Sequence, residues 1–537
     1  MSKSVVRILI ATLLVLPACG TSDRDTGPDD GRLNILFVSC DTMRADHVGA
    51  YGYGSTSPHI DRLSRQSVLF RQAFAHRSQT WPSMTSIATS KYPVTHGVRT
   101  NGLELAEVHE SLPEYLRDEG YRTGGFFGNM SRAAHRGYDD FFSNEGEKRN
   151  QYDRDRDLAR RAVDWMSEHR DERFFLWVHF MNPHGPYSPP DFARRFQDGP
   201  IGQYTGSRPT LEKIALEKID LTQEELDSIV ALYDGDLYAS DSCVGSVLAA
   251  LEELDLEDDT LVVFFSDHGD ELYERNHYFM HSCSMYDSVL RVPFLIRAPG
   301  DRFPHGAVVD DVVELIDIAP TAAVLAGLDL PDWAQGQSLV PVLEGKPSTR
   351  GRAVSEWHPP MSFTAKALEA LQGKTKAEKK RFLEEHGLDR DRVPKGTQVD
   401  GLGMSFDPDR TPIYVLRTDD FRFIMNHGEE TPNDGIFNQN PGSGFAVERE
   451  ELYEHATDPG ETSNRVGDLA GAATQQREFL TEWVKIMEAT AGKARIKDDP
   501  ETMIRLEDLG YIVLPPGDSA KSGESEEPAP VEGSRDG

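Results

Sequence analysis

Cysteine is scarce in this chain, with four residues in 537, no CxxC pair and no Cys/His grouping at zinc spacing. That excludes a disulfide-stapled small scaffold and a structural zinc ribbon. Cationic residues are also in deficit, 57 Lys and Arg against 90 Asp and Glu, for a net charge of -33. The balance argues against a nucleic-acid partner, because affinity for phosphate backbones comes largely from Lys and Arg. Glycine-rich nucleotide loops and internal repeats are missing, so no organic cofactor is implied. No apolar run reaches the ~20 residues of a membrane span.

What is present divides the chain. MSKSVVRILIATLLVLPAC, residues 1–19, has two basic residues, an apolar run from Ile8 to Leu16 and small residues before Cys19. This is the layout of an export signal whose end resembles a bacterial lipobox, with Cys19 as the lipidated residue. Export to the cell envelope is expected, with the lipid as the sole membrane attachment. Residues 20–31 read as a polar tether and 515–537 as an acidic, Pro/Ser/Gly-rich tail that cannot bury apolar surface. Cys40, Cys243 and Cys283 read as small buried side chains.

Between the ends, short apolar runs alternate with amphipathic stretches. NILFVSC (34–40), YRTGGFF (121–127), FFLWV (174–178) and LVVFF (261–265) are strand candidates. Helical patterns cover 58–67, 112–118, 157–169 and 236–254. Fully apolar strands alternating with helices predict an α/β fold, a mostly parallel sheet covered on both faces. At 537 residues, a second and smaller unit is expected. IYVLRTDDFRFIMN, read as paired strands, places it after about Thr411.

The residues that follow the strand runs carry the chemistry. Asp41 follows the first run, Asn129 the second, His184 the third and Asp267-His268 the last. Alone, Asp41 is equally a helix cap and His184 a turn residue. Together they match the rule that ligands bind beyond the carboxyl ends of strands in open α/β sheets. Asp41, Asp267 and His268 offer oxygen and nitrogen donors for a hard or borderline divalent cation. Such a cation lowers the pKa of a nearby hydroxyl. Thr80 is the candidate hydroxyl, in TWPSMTSIATS, a helix start with Pro82 in its first turn. Free N–H groups at that helix end would add an anion site, unless Thr80 merely caps the helix.

The blocks NILFVSCDTMRADHVGAYGYGSTSPHIDRLSRQSVLF, TWPSMTSIATSKYPVTHGV, HFMNPHGPYSPP, TLVVFFSDHGDEL, HSCSMYDSVLRVPFLIRAPG and ELYEHATDPGETSNRV resemble, in order, those of the sulfatase family of the alkaline phosphatase superfamily. The resemblance implies a large α/β domain with a smaller C-terminal β-sheet subdomain, and metal-assisted ester hydrolysis through a covalent intermediate. It places Thr80 at the formylglycine position of the CxPxR motif. Asp41, Asp267 and His268 fall on metal ligands, Lys91 on the basic residue of the GRYP or GKYP block and His184 on the histidine that contacts the ester. His281 falls near the last substrate-contacting basic residue. By family the metal is calcium, with zinc or manganese as alternatives.

Five positions set this chain apart. Thr80 cannot become formylglycine, Met84 stands at the motif's arginine, and Thr42 replaces a metal aspartate. Asn129 and Ser131 replace the lysine and histidine of GKWHLG. A threonine ester has no aldehyde through which to expel its anion, so water must cleave it at phosphorus or sulfur, a routine step for phosphoryl intermediates. Thr80 with Asn129 as oxyanion donor resembles the nucleotide pyrophosphatase/phosphodiesterase and lipoteichoic acid synthase branches.

The expected activity is therefore metal-dependent hydrolysis of a sulfate or phosphate ester, phosphate favoured chemically. Thr80 is the nucleophile, and His184 or His281 the acid for the leaving group. The substrate class is an anionic ester of a glycan, lipid or small molecule. The alternatives are a genuine sulfuric ester hydrolase and a silent envelope lipoprotein that binds anionic glycan or lipid. The expected layout is a catalytic domain over 32–360, a charged helical insertion over 361–410 and a C-terminal subdomain over 411–514. Residues 191–225 form a further insertion without a place in the family blocks.

Overall fold

In the computed structural model of the chain, the apolar runs become the middle of one sheet. Residues 31–357 are described apart from 102, 129–135, 145–146, 189, 197–201, 276, 283 and 301; residues 412–426 and 450–489 follow, with isolated pairs at 362–363, 398–399, 404–405 and 495–496. The leader, most of the tether, the tail, most of the 361–410 insertion, Asn129, Ser131 and Cys283 lie outside the described residues.

The eight main strands are β1 (Asn34–Cys40), β2 (Val68–Phe74), β3 (Arg122–Phe127), β4 (Asp140–Ser143), β5 (Phe174–Phe180), β6 (Thr260–Ser266), β7 (Arg291–Arg297) and β8 (Val308–Glu314). Their order is β8-β2-β7-β6-β1-β5-β3-β4. All pairings are parallel except those of β7 with β2 and β6. The central strands β1, β5 and β6 are buried along their whole length, as expected for a sheet covered on both faces.

Side-chain alternation along these strands makes two cores. Ile35 and Phe37 of β1 join Phe175, Trp177, Val263 and Phe265 on one face. The helices α2 (Thr80–Thr89), α3 (Leu112–Asp118) and α6 (Ile318–Leu325) cover that face. Leu36 and Val38 join Leu176, Val178, Val262 and Phe264 on the other, under α1 (Pro58–Ser64), α4 (Gln151–Glu168) and α5 (Gln223–Glu253). Phe37 meets the rings of Phe175, Trp177 and Phe265 edge-on at centroid distances of 5.2, 5.6 and 5.8 Å. Truncating such a residue costs about 3–5 kcal/mol, since the facing strands cannot collapse into the gap.

Helix α5 begins thirteen residues before the expected start at 236. Thr222 and Glu225 form a capping box there, Thr222 N–H donating to Glu225 Oε2 at 3.0 Å. Part of the unplaced insertion is thus the first turn of a core helix, and Arg208–Glu217 is another helix within it. Cys40 and Cys243 are buried free thiols, as their composition suggested.

A four-stranded antiparallel sheet, β9 (Arg352–Trp357), β10 (Ile413–Thr418), β11 (Phe421–Asn426) and β12 (Glu450–Glu454), forms the smaller unit with α7 (Ala470–Ala489). Its first strand lies inside the segment expected to end the large domain, because β9 pairs in full register with β10. Buried ion pairs fasten this unit to the main sheet. Arg422 pairs with Asp287 and, through Nε, with Glu461 Oε1 at 3.1 Å. Tyr286 and Tyr453 both donate to Glu451 Oε2, at 2.9 and 2.8 Å. Among the described residues no helix is long and apolar enough to cross a membrane.

Candidate active site

The strand order explains how residues 226 positions apart meet. Parallel neighbours β6 and β1 end in register, Cys40 opposite Ser266, so Asp41 and Asp267 leave adjacent strand ends. His268 follows directly. The three side chains offer ligand atoms within 4.8 Å of one another, all buried. In the turn after β1, Thr42 sits at φ 57°, in the left-handed region that β-branched residues avoid. Its N–H approaches Asp267 Oδ1 at 3.3 Å, and its carbonyl accepts from Tyr233 Oη at 2.9 Å.

Thr80 reaches the same point from the other direction. It is the first residue of α2, with Gln79 as the N-cap, so it does not cap the helix. Ser83 Oγ, one turn on, donates to the carbonyl of Asp267 at 2.7 Å and ties α2 to the end of β6. Thr80 Oγ1 donates toward Asp41 Oδ2 at 3.3 Å and lies 3.4 Å from His268 Nε2. The free N–H groups expected at this helix end are largely committed. Trp81 N–H donates to Asn101 Oδ1 at 3.1 Å, Pro82 has none, and Ser83 N–H donates to the carbonyl of Gln79 at 3.1 Å.

Charge within the cluster is unbalanced. Burial pushes both carboxyls up, but the imidazoles of His184, His179 and His268 outweigh it at Asp41 and hold that carboxyl well below the usual range. Burial and the neighbouring Asp41 drive Asp267 well above it. Asp267 Oδ2 is buried without a hydrogen-bond partner, 3.4 Å from His268 Nε2. Two crowded carboxylates, an orphaned oxygen and an imidazole lone pair are a donor set that fits a divalent cation.

The other candidate histidines gather at the rim. His281 lies over His268 at a ring distance of 4.5 Å and beside His184 at 5.0 Å. His281 Nδ1 is 2.9 Å from Asp270 Oδ1, whose other oxygen accepts from Tyr187 Oη at 2.5 Å. His184 Nδ1 donates to the carbonyl of Gly185 at 2.6 Å. Burial brings His184 down to about 4 and, with His268 beside it, takes His281 well below its ordinary value. Both rings thus stand neutral at pH 7 and must gain a proton before giving one.

Lys91 is not brought to the cluster. It follows the C-terminal end of α2, a rise of about 15 Å from Thr80 along the helix axis, and its Nζ lies 3.3 Å from His109 Nδ1. Two residues escaped the sequence reading, His179 and Asp270. His179 is a polar residue inside the apolar run of β5, and its Nε2 lies 3.8 Å from Asp41 Oδ2. Asp270 stands in the same DHGD turn as Asp267 and His268.

The family model described as Sulfatase matches residues 33–328, more than half of the chain. The chain belongs to the sulfatase family. It is 26% identical over 337 residues to the ulvan-active sulfatase of Formosa agariphila, a match that covers 57% of this chain and 64% of that protein. Human N-sulphoglucosamine sulphohydrolase is 26% identical over 509 residues, covering 88% and 92%. Of solved structures, the phosphonate monoester hydrolase of Silicibacter pomeroyi superposes with a TM-score of 0.63 at 21% identity, over 86% of this chain and 96% of that one. That likeness carries the sulfatase-family fold, the mostly parallel sheet with its C-terminal antiparallel subdomain.

Proposed function

We propose that this sulfatase-family protein hydrolyses an anionic ester through a covalent adduct on Thr80, with phosphate esters preferred. The observation that carries the reading is the approach of Thr80 Oγ1 to both Asp41 and His268 inside the buried cluster. Asp41, Asp267 and His268 would hold a divalent cation, calcium by family or else zinc or manganese. When bound, it supplies positive charge that favours the ionised hydroxyl and the anion of the ester.

The chain's own groups account for the proton traffic. Thr80 Oγ forms a bond to phosphorus as the bond to the leaving oxygen breaks, and its proton passes to Asp41 Oδ2 or a rim imidazole. His281 keeps its Nε2 lone pair because Nδ1 faces Asp270; once protonated there, it gives that proton to the leaving oxygen. Water then attacks phosphorus, the Thr80 ester bond breaks, and the anion departs. Asn129, outside the described residues, remains the proposed donor to a non-bridging oxygen.

The test is hydrolysis of aryl phosphate, phosphodiester and aryl sulfate by the full chain, with and without chelator, beside Thr80→Ala. Chelator-sensitive phosphate turnover lost in Thr80→Ala, with phosphothreonine trapped at position 80, supports the reading. A preference for sulfate establishes the second reading, which the names of the sulfatase relatives favour. Equal, flat traces from both proteins contradict catalysis and leave glycan or lipid binding. We further propose export and lipid attachment at Cys19, tested by fatty-acid labelling that Cys19→Ser abolishes.

A further inference from the structure

Four imidazoles surround Asp41, and their hydrogen bonds divide them into two kinds. The ring nitrogen Nδ1 of His268 faces the carbonyl of Gly269 at 3.0 Å, and that of His184 the carbonyl of Gly185. A carbonyl can only accept, so both rings carry their proton on Nδ1 and present a lone pair at Nε2. His281, against Asp270, does the same.

His179 is held the other way round. It is fully buried on β5, opposite Ser39 of β1 in register, and its Nδ1 lies 2.9 Å from Ser39 Oγ. Trp177, two residues before it on the same face, donates its indole N–H to that oxygen at 2.9 Å. Indole is a donor only, so the Ser39 oxygen accepts there and its own proton is free to point at His179 Nδ1, the arrangement that the Asp41 carboxylate on the Nε2 side favours. The neutral ring then carries its proton on Nε2. That atom is buried with no hydrogen-bond partner and lies 3.8 Å from Asp41 Oδ2, the oxygen to which Thr80 also donates.

We propose that His179 is a positioning residue and not a metal ligand: the Trp177–Ser39 relay fixes its Nε2–H toward Asp41 Oδ2, turning Oδ1 to the side of His268 and the cation. Asp41 Oδ1 is 3.8 Å from His268 Nε2, consistent with that division of the carboxylate. The inference rests on the proposal that Asp41, Asp267 and His268 bind a cation. Outer partners that orient a ligand carboxylate are typically worth about 10–100-fold in metal affinity.

The test uses Zn²⁺ alone, titrated by calorimetry into the full chain and its His179→Ala and His179→Gln variants. Glutamine can place an amide N–H near the position of Nε2. Expected are a loss of about 10–100-fold in His179→Ala and recovery to within about threefold of wild type in His179→Gln. Equal losses in the two variants overturn the positioning role, whereas no binding by the wild type overturns the cation reading itself. Should the alanine variant not fold, long-range ¹H–¹⁵N correlation on histidine-labelled wild type decides. A neutral Nε2–H ring at His179, unchanged when Zn²⁺ shifts His268, supports the role, and an Nδ1–H or zinc-shifted ring overturns it.

Discussion

Two clusters of buried charge differ in how they are completed. At the junction with the smaller sheet, Arg422 meets Asp287 and Glu461, and Glu451 accepts from two tyrosines, so each charge has its partner within the chain. At the carboxyl edge of the main sheet, Asp41 and Asp267 face each other among imidazoles and one hydroxyl. The first arrangement is self-sufficient, while the second repels itself until positive charge arrives. Burial alone therefore does not separate the two clusters; internal charge balance does.

The sharpest way to break this contrast is at the nucleophile. Thr80→Ala should lower ester turnover by at least about 10⁴-fold, the scale seen when a nucleophile is removed, while leaving the fold intact by circular dichroism. Next comes the junction. Arg422→Met removes the shared partner of Asp287 and Glu461 and should cost up to about 3–5 kcal/mol in urea unfolding, to the same extent with and without divalent cation. At the sheet edge the sign reverses. Asp267→Asn should leave the metal-free protein as stable as wild type or more so, and should abolish cation stabilisation, about 2.7 kcal/mol at 100-fold excess over Kd; thermal unfolding with and without the cation reads both.

The smallest effect comes from a buried carboxyl of a third kind. Asp241 accepts from the N–H groups of His59 and Ile60 at the start of α1, and burial pushes its pKa up to about 7. A raised acid favours its protonated form in the folded state, so its ionisation destabilises the fold as pH rises from the unfolded value near 4 to 7. Asp241→Asn should flatten stability over that window by less than about 1.4 kcal/mol per pH unit. An unchanged slope in equilibrium unfolding would contradict the assignment.

The sheet was readable because β1, β5 and β6 are covered on both faces and so are mostly apolar. Asp41, Asp267 and His268 were readable for the same reason, as the first polar residues after such runs. Lys91 was misplaced because eleven residues of sequence look local, whereas a helix carries its two ends apart. His179 was invisible because its meaning lies across the sheet, in the register that sets it against Ser39 and beside Asp41. The commitment of the amides at the start of α2 depends on Asn101, twenty residues away, which no local pattern announces.

Anomalous diffraction from crystals of the full chain soaked in Mn²⁺ tests the central claim most directly. The expected result is a single strong peak about 2.0–2.3 Å from oxygens of Asp41 and Asp267 and from His268 Nε2, with Thr80 Oγ1 beside it. Absence of a peak there, with the three side chains bonded to one another and the threonine hydroxyl turned away, would contradict it.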